Sequence, residues 1–349
     1  MNKEKNFVSA VIYVHNAEDR IAGFVAAVIR VLEENFEHSE IICVNDGSPD
    51  GCAGILEEYQ KKHSNIRVFY QENAGLSAAR NTGIAAARGD YLWFVDSDDF
   101  IQENVLGRLV EIRAHTTADR ISFRHYEFEE RLNAGEQAAR KAQSLRPKDA
   151  PSGNLLCESL FKRSFLEEHH LRFLPGVAYV EDGLFAFEFA HCGPVTESHD
   201  ILVYFYRRNN RSITRTRSQA AQQKRDSAVC AMLRIVYDYT RRDLEDLKAK
   251  NASGDTFTAV LMPSVRMIAV NAAKLPAPMR REIISLLSQS GLFPLFLYRK
   301  FRDWFPKKVH INHTYMGIKG YILDVMYFYA TTRWGFALLV LYYKLRQRR

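Results

Sequence analysis

The chain of 349 residues contains 47% hydrophobic and 26% charged residues and carries a formal net charge of +7. This composition is that of a soluble globular protein of about two domains, and it excludes a collagen, a low-complexity chain and a disulfide-framework miniprotein. The 5 cysteines are scattered without a CxxC pair, which is typical of buried thiols in a reducing compartment.

The first ~115 residues alternate short β-branched runs with amphipathic helical patterns. The predicted strands are Val8–Val14, Glu40–Val44, Arg67–Tyr70 and Tyr91–Val95, and the predicted helices between them are Ala17–Glu34, Ala53–His63 and Leu76–Ala87. This order predicts an α/β fold, with a doubly wound, mostly parallel sheet and helices on both faces. Ligands of such sheets bind beyond the carboxyl ends of the strands, so the residues that follow each strand are the functional candidates.

The rest of the chain divides into a mixed segment and a helical one. A polar connection covers Glu129–Asn154, followed by a predicted helix at Cys157–His169 and a predicted strand at Ile201–Tyr206. From Ser218 onward the pattern is helical, with a long helix predicted to about Lys250. We therefore predict an α/β domain over residues 1–217, with halves at 1–115 and 116–217, and a helical C-terminal region over residues 218–349.

Three carboxylates follow the predicted strand Tyr91–Val95, namely Asp96, Asp98 and Asp99. They repel one another unless a cation or a hydrogen-bond network neutralises them. Oxygen ligands of this kind suit Mg²⁺ or Mn²⁺. The alternative interpretation is a helix N-cap followed by a solvated acidic turn.

Further residues at a strand end and in loops are candidates for ligand binding or catalysis. Asp46 can accept hydrogen bonds from a base or ribose edge, or can belong to a plain Asx turn. Glu181 and Asp182 precede the apolar Leu184–Ala190, where a raised pKa suits a general base, unless the pair only caps a helix that begins at Gly183. The cluster that begins at Arg207 suits a phosphate or pyrophosphate, or is a solvated basic loop.

The positive charge of the chain is concentrated in its tail. Residues Pro294–Arg349 contain 11 Lys and Arg against 2 acidic residues, a local charge of +9. Interleaved aromatic residues make this segment typical of helices that lie on anionic membranes. The alternative is a helix packed against the core of the protein.

Together these motifs resemble those of family 2 glycosyltransferases with the GT-A fold, the inverting nucleotide-sugar-dependent enzymes that build bacterial surface polysaccharides. The resemblance runs from Val8 to about Arg217, and its most specific stretch is QENAGLSAARNTG at residues 71–83. The segment Phe94–Asp99 resembles the metal-binding DxD motif, Glu181 and Asp182 match the later acidic pair, and Tyr206–Thr214 matches the loop after it.

The resemblance implies a nucleotide-sugar donor, a UDP-sugar, held at the strand ends. Asp46 would hold the nucleobase, and the loop Tyr13–Asn16 would pack around it. Asn73 and Arg80 would contact the nucleotide or the sugar. Arg207 and Ser212 would close over the diphosphate.

The resemblance also implies metal-assisted catalysis. Asp96 and Asp98 would bind the ribose side and the Mn²⁺ or Mg²⁺ that bridges the diphosphate. Asp182 would be the general base, and Glu181 would orient or contact the donor or the acceptor. The acceptor would be a glycan or a lipid-linked glycan at the inner face of the bacterial cytoplasmic membrane, with possible peripheral contact of the tail and no nucleic-acid partner.

Two alternatives belong to other functional classes. A phosphohydrolase would use Asp96 and Asp98 as nucleophile and acid, but it leaves the motif Asn73–Gly83 without a purpose. A basic module that binds anionic lipid or nucleic acid predicts affinity that resides in the tail, falls with salt and survives the loss of Asp98.

Overall fold

The computed structural model describes residues 7–35, 38–101, 116–129, 156–177, 179–208 and 218–250, together with Ser264, Asn271 and Pro278. The chain divides into two compact units, Met1–Thr216 and Arg217–Arg349. Of Arg207 and Arg208 only the backbone is described, and Ser212 and the tail Pro294–Arg349 lie outside the described residues.

The first unit contains eight strands and five α-helices within its described residues. In chain order these are β1 (Phe7–Val14), α1 (Ile21–Asn35), β2 (His38–Asp46), α2 (Cys52–Lys62), β3 (Ile66–Gln71), α3 (Leu76–Ala86), β4 (Tyr91–Asp96), β5 (Phe100–Ile101), β6 (Arg120–Glu129), β7 (Ser159–Lys162), α4 (Arg163–Glu168), α5 (Glu181–His191) and β8 (Thr196–Arg208). A short 3₁₀ turn at Leu156–Glu158 precedes β7.

The eight strands form one mixed sheet in the order β3-β2-β1-β4-β7-β6-β8-β5. Strands β1 to β4 are parallel, as the alternation of strands and helices predicts. Beyond β4 the sheet changes character, because β7 is antiparallel to both β4 and β6, whereas β6 and β8 are parallel. Strand β5 closes this edge antiparallel to β8.

The helix predicted over Cys157–His169 is wrong in its first half. Residues 156–158 form the 3₁₀ turn, 159–162 form β7, and only Arg163–Glu168 is α-helical. Strand β7 is short and lies between β4 and β6, so Leu160 and Phe161 are both buried. An apolar run buried on both faces has no alternation that distinguishes it from a helix, and here the sheet partners decide the conformation.

The core lies on both faces of the parallel strands. On one face, side chains of β1 such as Ile12 and Val14 pack with α1 residues that include Val25 and Leu32. On the other face, Val11 packs with Ala79 and Ile84 of α3. The apolar periodicity of both helices thus brings the strand ends and the start of α3 together at one edge.

Helix α3 lies unusually close to β1 at Gly83. A Cβ atom at Gly83 would stand 2.2 Å from Cγ1 of Val11, whereas a Cβ at Gly23 on α1 meets no atom within 4 Å. We expect Gly83→Ala to lower the free energy of unfolding by about 1–3 kcal/mol, because Val11 or the helix must shift. The matched change Gly23→Ala should raise it by up to about 1 kcal/mol through helix propensity. Urea denaturation of both variants measures the difference, and equal stabilities would contradict the packing argument.

The second unit is described mainly through one long helix, α6 (Gln219–Ala249). The side-chain oxygen of Ser218 accepts a hydrogen bond from the Ala221 N–H at 3.2 Å and caps its start. Buried residues such as Ala228, Leu233 and Val236 lie on one face of the helix. Among the described residues, no helix is both long enough and apolar enough to cross a membrane.

Candidate active site

The carboxyl ends of β1, β2 and β4 meet at one edge of the sheet. In the parallel register, Val14 is opposite Asn45 on one side, and Tyr13 is opposite Asp96 on the other. The predicted residues at these strand ends are therefore neighbours, in the position where open α/β sheets bind ligands.

Asp46 is fully buried, and its carboxylate holds the loop after β3. Its oxygens accept hydrogen bonds from the Gln71 side-chain amide at 2.8 Å and from the backbone N–H groups of Ala74 and Gly75, each at 2.9 Å. Thr82 of α3 in turn donates to the Gln71 side chain at 2.7 Å. In this structure Asp46 shapes the loop, and its contact with a nucleobase stays a prediction.

Asn73 lies at the exposed tip of that loop. Its side-chain nitrogen is 2.8 Å from Nε2 of His15 in the loop after β1. Below it, Gly47 has a φ of +63°, and a Cβ there would stand 2.7 Å from the Asn73 backbone nitrogen. Tyr13 is half-buried nearby, and burial together with the charge of Asp46 raises its pKa to about 12. The fold thus brings Tyr13, Asn73 and Asp46 together.

The loops after β1 and β2 are joined by hydrogen bonds around Asp50. Asn16, with a φ of +55°, donates its N–H to the Ser48 hydroxyl at 2.7 Å, and that hydroxyl donates to Asp50 at 2.6 Å. Asp50 also accepts the Glu18 N–H at 2.9 Å, and Glu18 accepts the Gly51 N–H at 2.9 Å. Burial opposes ionisation of Asp50, yet these hydrogen bonds hold its pKa well below the ordinary value. Asp50 and Glu18 were not among the predicted site residues. Asp50 lies just before the predicted helix Ala53–His63, where an acidic residue is a recognisable capping signal.

Arg80 of α3 is the centre of the site. Arg80 is 3% exposed, and its guanidinium group donates to the Asp96 carboxylate at 3.2 Å and to the Asp182 carboxylate. Burial lowers the pKa of Arg80, but the charges of Asp182 and Asp96 outweigh it and raise the pKa above the ordinary value. Arg80 thus links Asp96, in the first half of the unit, to Asp182, in the second half. Its contact with the nucleotide or the sugar stays a prediction.

Asn81 and Phe173 hold Arg80 in place. The Asn81 side chain donates to the Phe173 carbonyl at 2.7 Å and accepts the Phe173 N–H at 2.8 Å. The Phe173 ring lies 5.2 Å from the Arg80 guanidinium carbon and stacks on Phe185 of α5 at 4.2 Å. No local sequence signal identifies this contact, since it joins α3 to a loop 92 residues away.

Glu181 and Asp182 form the first turn of α5, so the helix begins two residues before the predicted Gly183. Both carboxylates lie at the helix N-terminus, where the macrodipole stabilises negative charge. The Asp182 side chain is 38% exposed. Its partial burial, helped by the charge of Asp96, raises its pKa, although Arg80 opposes the shift. Burial and the charge of Asp182 raise the pKa of Glu181 to about 7. Within the described residues, the Glu181 Oε2 atom is buried and accepts no hydrogen bond.

The raised pKa of Glu181 makes a prediction about stability. Because its pKa moves from 4.5 to about 7 on folding, the folded chain binds more protons between these values, and stability falls as pH rises through them. Glu181→Gln removes this effect. We expect its free energy of unfolding, relative to the unaltered chain, to rise from pH 5 to pH 7 and then to level off. Urea denaturation at pH 5, 6, 7 and 8 measures this, and a difference independent of pH would contradict the shift.

Asp96 and Asp98 could hold a divalent cation. The Asp96 side chain is 29% exposed and Asp98 is partly exposed, whereas Asp99 is buried. Among the described residues, no group of three or more His, Cys, Asp and Glu side chains is arranged as a complete metal site. Two carboxylates fit Mg²⁺ or Mn²⁺ that takes its remaining ligands from a diphosphate and water, because these ions prefer oxygen donors and retain open positions.

The first unit is similar to known glycosyltransferases. A family model described as Glycosyl transferase family 2 matches residues 9–169. The chain is 31% identical over 218 residues to the uncharacterized glycosyltransferase EpsJ of Bacillus subtilis, covering 59% of this chain and 62% of EpsJ. It is 37% identical over 114 residues to the poly(ribitol-phosphate) beta-glucosyltransferase of Bacillus spizizenii, covering 32% of this chain and 18% of that protein.

The fold is also similar to that of a solved structure. The crystal structure of S. aureus TarS in complex with UDP-GlcNAc aligns with a TM-score of 0.54 at 14% identity, over 82% of this chain and 88% of that chain. This likeness confirms the predicted GT-A fold. The chain spans less than two thirds of the curated relatives named above. Residues 9–169 therefore match glycosyl transferase family 2, in a domain with the GT-A fold.

Proposed function

We propose that the chain is an inverting glycosyltransferase that moves a sugar from a UDP-sugar to a hydroxyl group of a glycan or lipid-linked glycan. The observation that carries the proposal is the Arg80 guanidinium, which joins Asp96 at the end of β4 to Asp182 at the start of α5. This contact brings the two acidic motifs of the family into one site, with the strand ends of β1 and β2 beside it.

The donor would lie along the ends of β1, β2 and β4. Tyr13, Asn16, Asp46 and Asn73 lie at the loops that would surround the nucleoside. TarS, which has the same fold, is crystallised with UDP-GlcNAc, and this supports a uridine donor. Arg207 and Ser212 would contact the diphosphate from the segment that follows β8.

Asp182 would act as the general base. Its carboxylate takes the proton of the acceptor hydroxyl as that oxygen attacks C1 of the sugar from the face opposite the diphosphate. The bond from C1 to the diphosphate oxygen breaks, the electron pair leaves with the UDP, and the anomeric configuration inverts. A Mn²⁺ or Mg²⁺ ion held by Asp98 and Asp96 would neutralise the charge on the leaving diphosphate.

The proposed acceptor is a bacterial surface polymer or its lipid-linked precursor. Its support is the B. spizizenii relative, whose name describes glucosyl transfer to poly(ribitol-phosphate). We propose that the reaction takes place on the cytoplasmic side of the membrane. The aromatic and basic composition of Pro294–Arg349, with its local charge of +9, supports contact with anionic lipid there.

The test is nucleotide release from a panel of UDP-, GDP-, CMP- and dTDP-sugars, with Mn²⁺ and with EDTA. We expect slow, metal-dependent release from one UDP-sugar. In parallel, UDP with Mn²⁺ should raise the melting temperature of the chain, because a ligand that binds only the folded state stabilises it. A melting temperature that no nucleotide changes, together with no release from any donor, would contradict the proposal.

A further inference from the structure

The turn that carries the candidate metal ligands rests on a buried tyrosine. Tyr204 of β8 is 0% exposed, and its hydroxyl lies beneath the turn Asp96–Asp99. The hydroxyl oxygen accepts the backbone N–H of Asp96 at 3.1 Å, and the hydroxyl proton is donated to the Asp99 carboxylate at 2.8 Å. One side chain therefore contacts the first and the last acid of the turn.

Both ends of the turn are fixed by the same strand. The Asp99 N–H donates to the Asp96 carbonyl at 3.2 Å and closes the turn. Directly after it, β5 pairs with β8, with Ile101 opposite Tyr204. Burial, followed by the charge of Asp99, raises the pKa of Tyr204 well above its ordinary value.

The three acids of the turn differ in exposure. The Asp99 side chain is turned inward and is 3% exposed, whereas Asp96 and Asp98 are partly exposed. A buried carboxylate of this kind needs a hydrogen-bond donor, and Tyr204 supplies one. The Asp99 carboxylate therefore forms a hydrogen bond inside the protein, although the sequence alone does not distinguish Asp99 from the other two acids of the turn.

We infer that Tyr204 and Asp99 are positioning residues of the donor site, which fix the turn so that Asp96 and Asp98 face the metal and the diphosphate while Asp99 ligates neither. The inference rests on the proposed function. It adds to the proposed ligands Asp96 and Asp98 a residue from β8 that carries no charge and lies 105 residues from its partner.

The test compares two variants, each of which replaces one buried tyrosine with phenylalanine and so removes one buried hydroxyl group. The probe is UDP, titrated into the full chain by calorimetry with Mn²⁺ and with EDTA. Tyr204→Phe should weaken Mn²⁺-dependent UDP binding by about tenfold or more, as is usual when a residue that orients a metal ligand is lost. The control is Tyr91→Phe, which removes a 2.8 Å hydrogen bond to the Ala118 carbonyl at the opposite end of β4. We expect this control to lower the melting temperature to a similar degree and to leave UDP affinity unchanged.

A second pair of variants tests the inward role of Asp99 and does not depend on the folding of Tyr204→Phe. Asp99→Asn keeps a side-chain oxygen that can accept the hydrogen bond from the Tyr204 hydroxyl, so UDP affinity with Mn²⁺ should be nearly retained. Asp98→Asn should lose most of the Mn²⁺-dependent affinity. Equal UDP affinity of Tyr204→Phe and Tyr91→Phe, or a loss in Asp99→Asn as large as in Asp98→Asn, would overturn the inference alone. Absence of UDP binding by the unaltered chain would overturn the proposed function and the inference with it.

Discussion

Asp182→Asn is expected to lower sugar transfer by about 10³-fold, because the amide cannot accept the proton of the acceptor hydroxyl as the carboxylate would. The amide oxygen of asparagine can still accept the hydrogen bond that Arg80 donates to Asp182. The guanidinium should therefore stay in place, and the affinity for UDP with Mn²⁺ should change little. Transfer rates with the UDP-sugar that the unaltered chain uses, together with calorimetric UDP titration, measure the two effects.

The matched control for this experiment is Glu181→Gln. Glu181 adjoins Asp182 in the same helical turn, and its pKa is raised to about 7, so it is the competing candidate for the base. We expect the glutamine variant to retain more transfer than Asp182→Asn. If Glu181→Gln loses transfer and Asp182→Asn keeps it, the assignment of the base must be reversed.

Arg80→Met is expected to have the largest effect on stability. It leaves the carboxylates of Asp96 and Asp182 close together without the cation that they share. Breaking a buried ion pair on one side typically costs 3–5 kcal/mol, and because both acids are partly exposed to water we expect about 3 kcal/mol here. Urea denaturation measures the loss, and UDP affinity with Mn²⁺ should fall because Asp96 is no longer oriented.

Two controls separate geometry from charge in this experiment. Arg80→Lys keeps the positive charge but replaces the planar fork with a single ammonium group, so it should restore only part of the stability. Lys62→Met removes an exposed pair with Glu58, in which the two side chains are 68% and 71% exposed, and should cost no more than about 0.5 kcal/mol. If Arg80→Met and Lys62→Met unfold at the same urea concentration, the claim that Arg80 stabilises the site is contradicted.

The parallel half of the sheet could be predicted because its signals are local. Each of β1, β2 and β4 is an apolar run long enough to be recognised, and the amphipathic helices between them show the 3.6-residue period. Strand β7 could not be predicted, since its conformation depends on β4 and β6 on either side. Strand β5 is shorter still and exists only through its pairing with β8.

The sequence was sufficient to predict which residues belong to the site, but not which of them contact one another. Position after a strand identifies Asp46 and Asp96, because parallel topology brings strand ends together. The contact between Arg80 and Asp182 spans 102 residues, and no spacing in the sequence encodes it. The same is true of the inward orientation of Asp99, which depends on a tyrosine 105 residues away in the sequence. The roles of Arg207 and Ser212 stay predictions.

The buried Asp46 carboxylate binds backbone amides at the start of α3, and this affects where a phosphate group could bind. In glycine-rich nucleotide-binding loops, backbone amides at a helix N-terminus bind the phosphates directly. Here the amides of Ala74 and Gly75, which lead into α3, are already bonded to the Asp46 carboxylate. The anion at this helix entrance is a carboxylate of the protein itself. Under the proposed function, we expect the charge of the diphosphate to be neutralised elsewhere, by a divalent cation and by guanidinium groups. Chelation of the metal should therefore weaken recognition of the phosphates strongly and leave the guanidinium groups and the contacts of the nucleoside to hold the nucleotide.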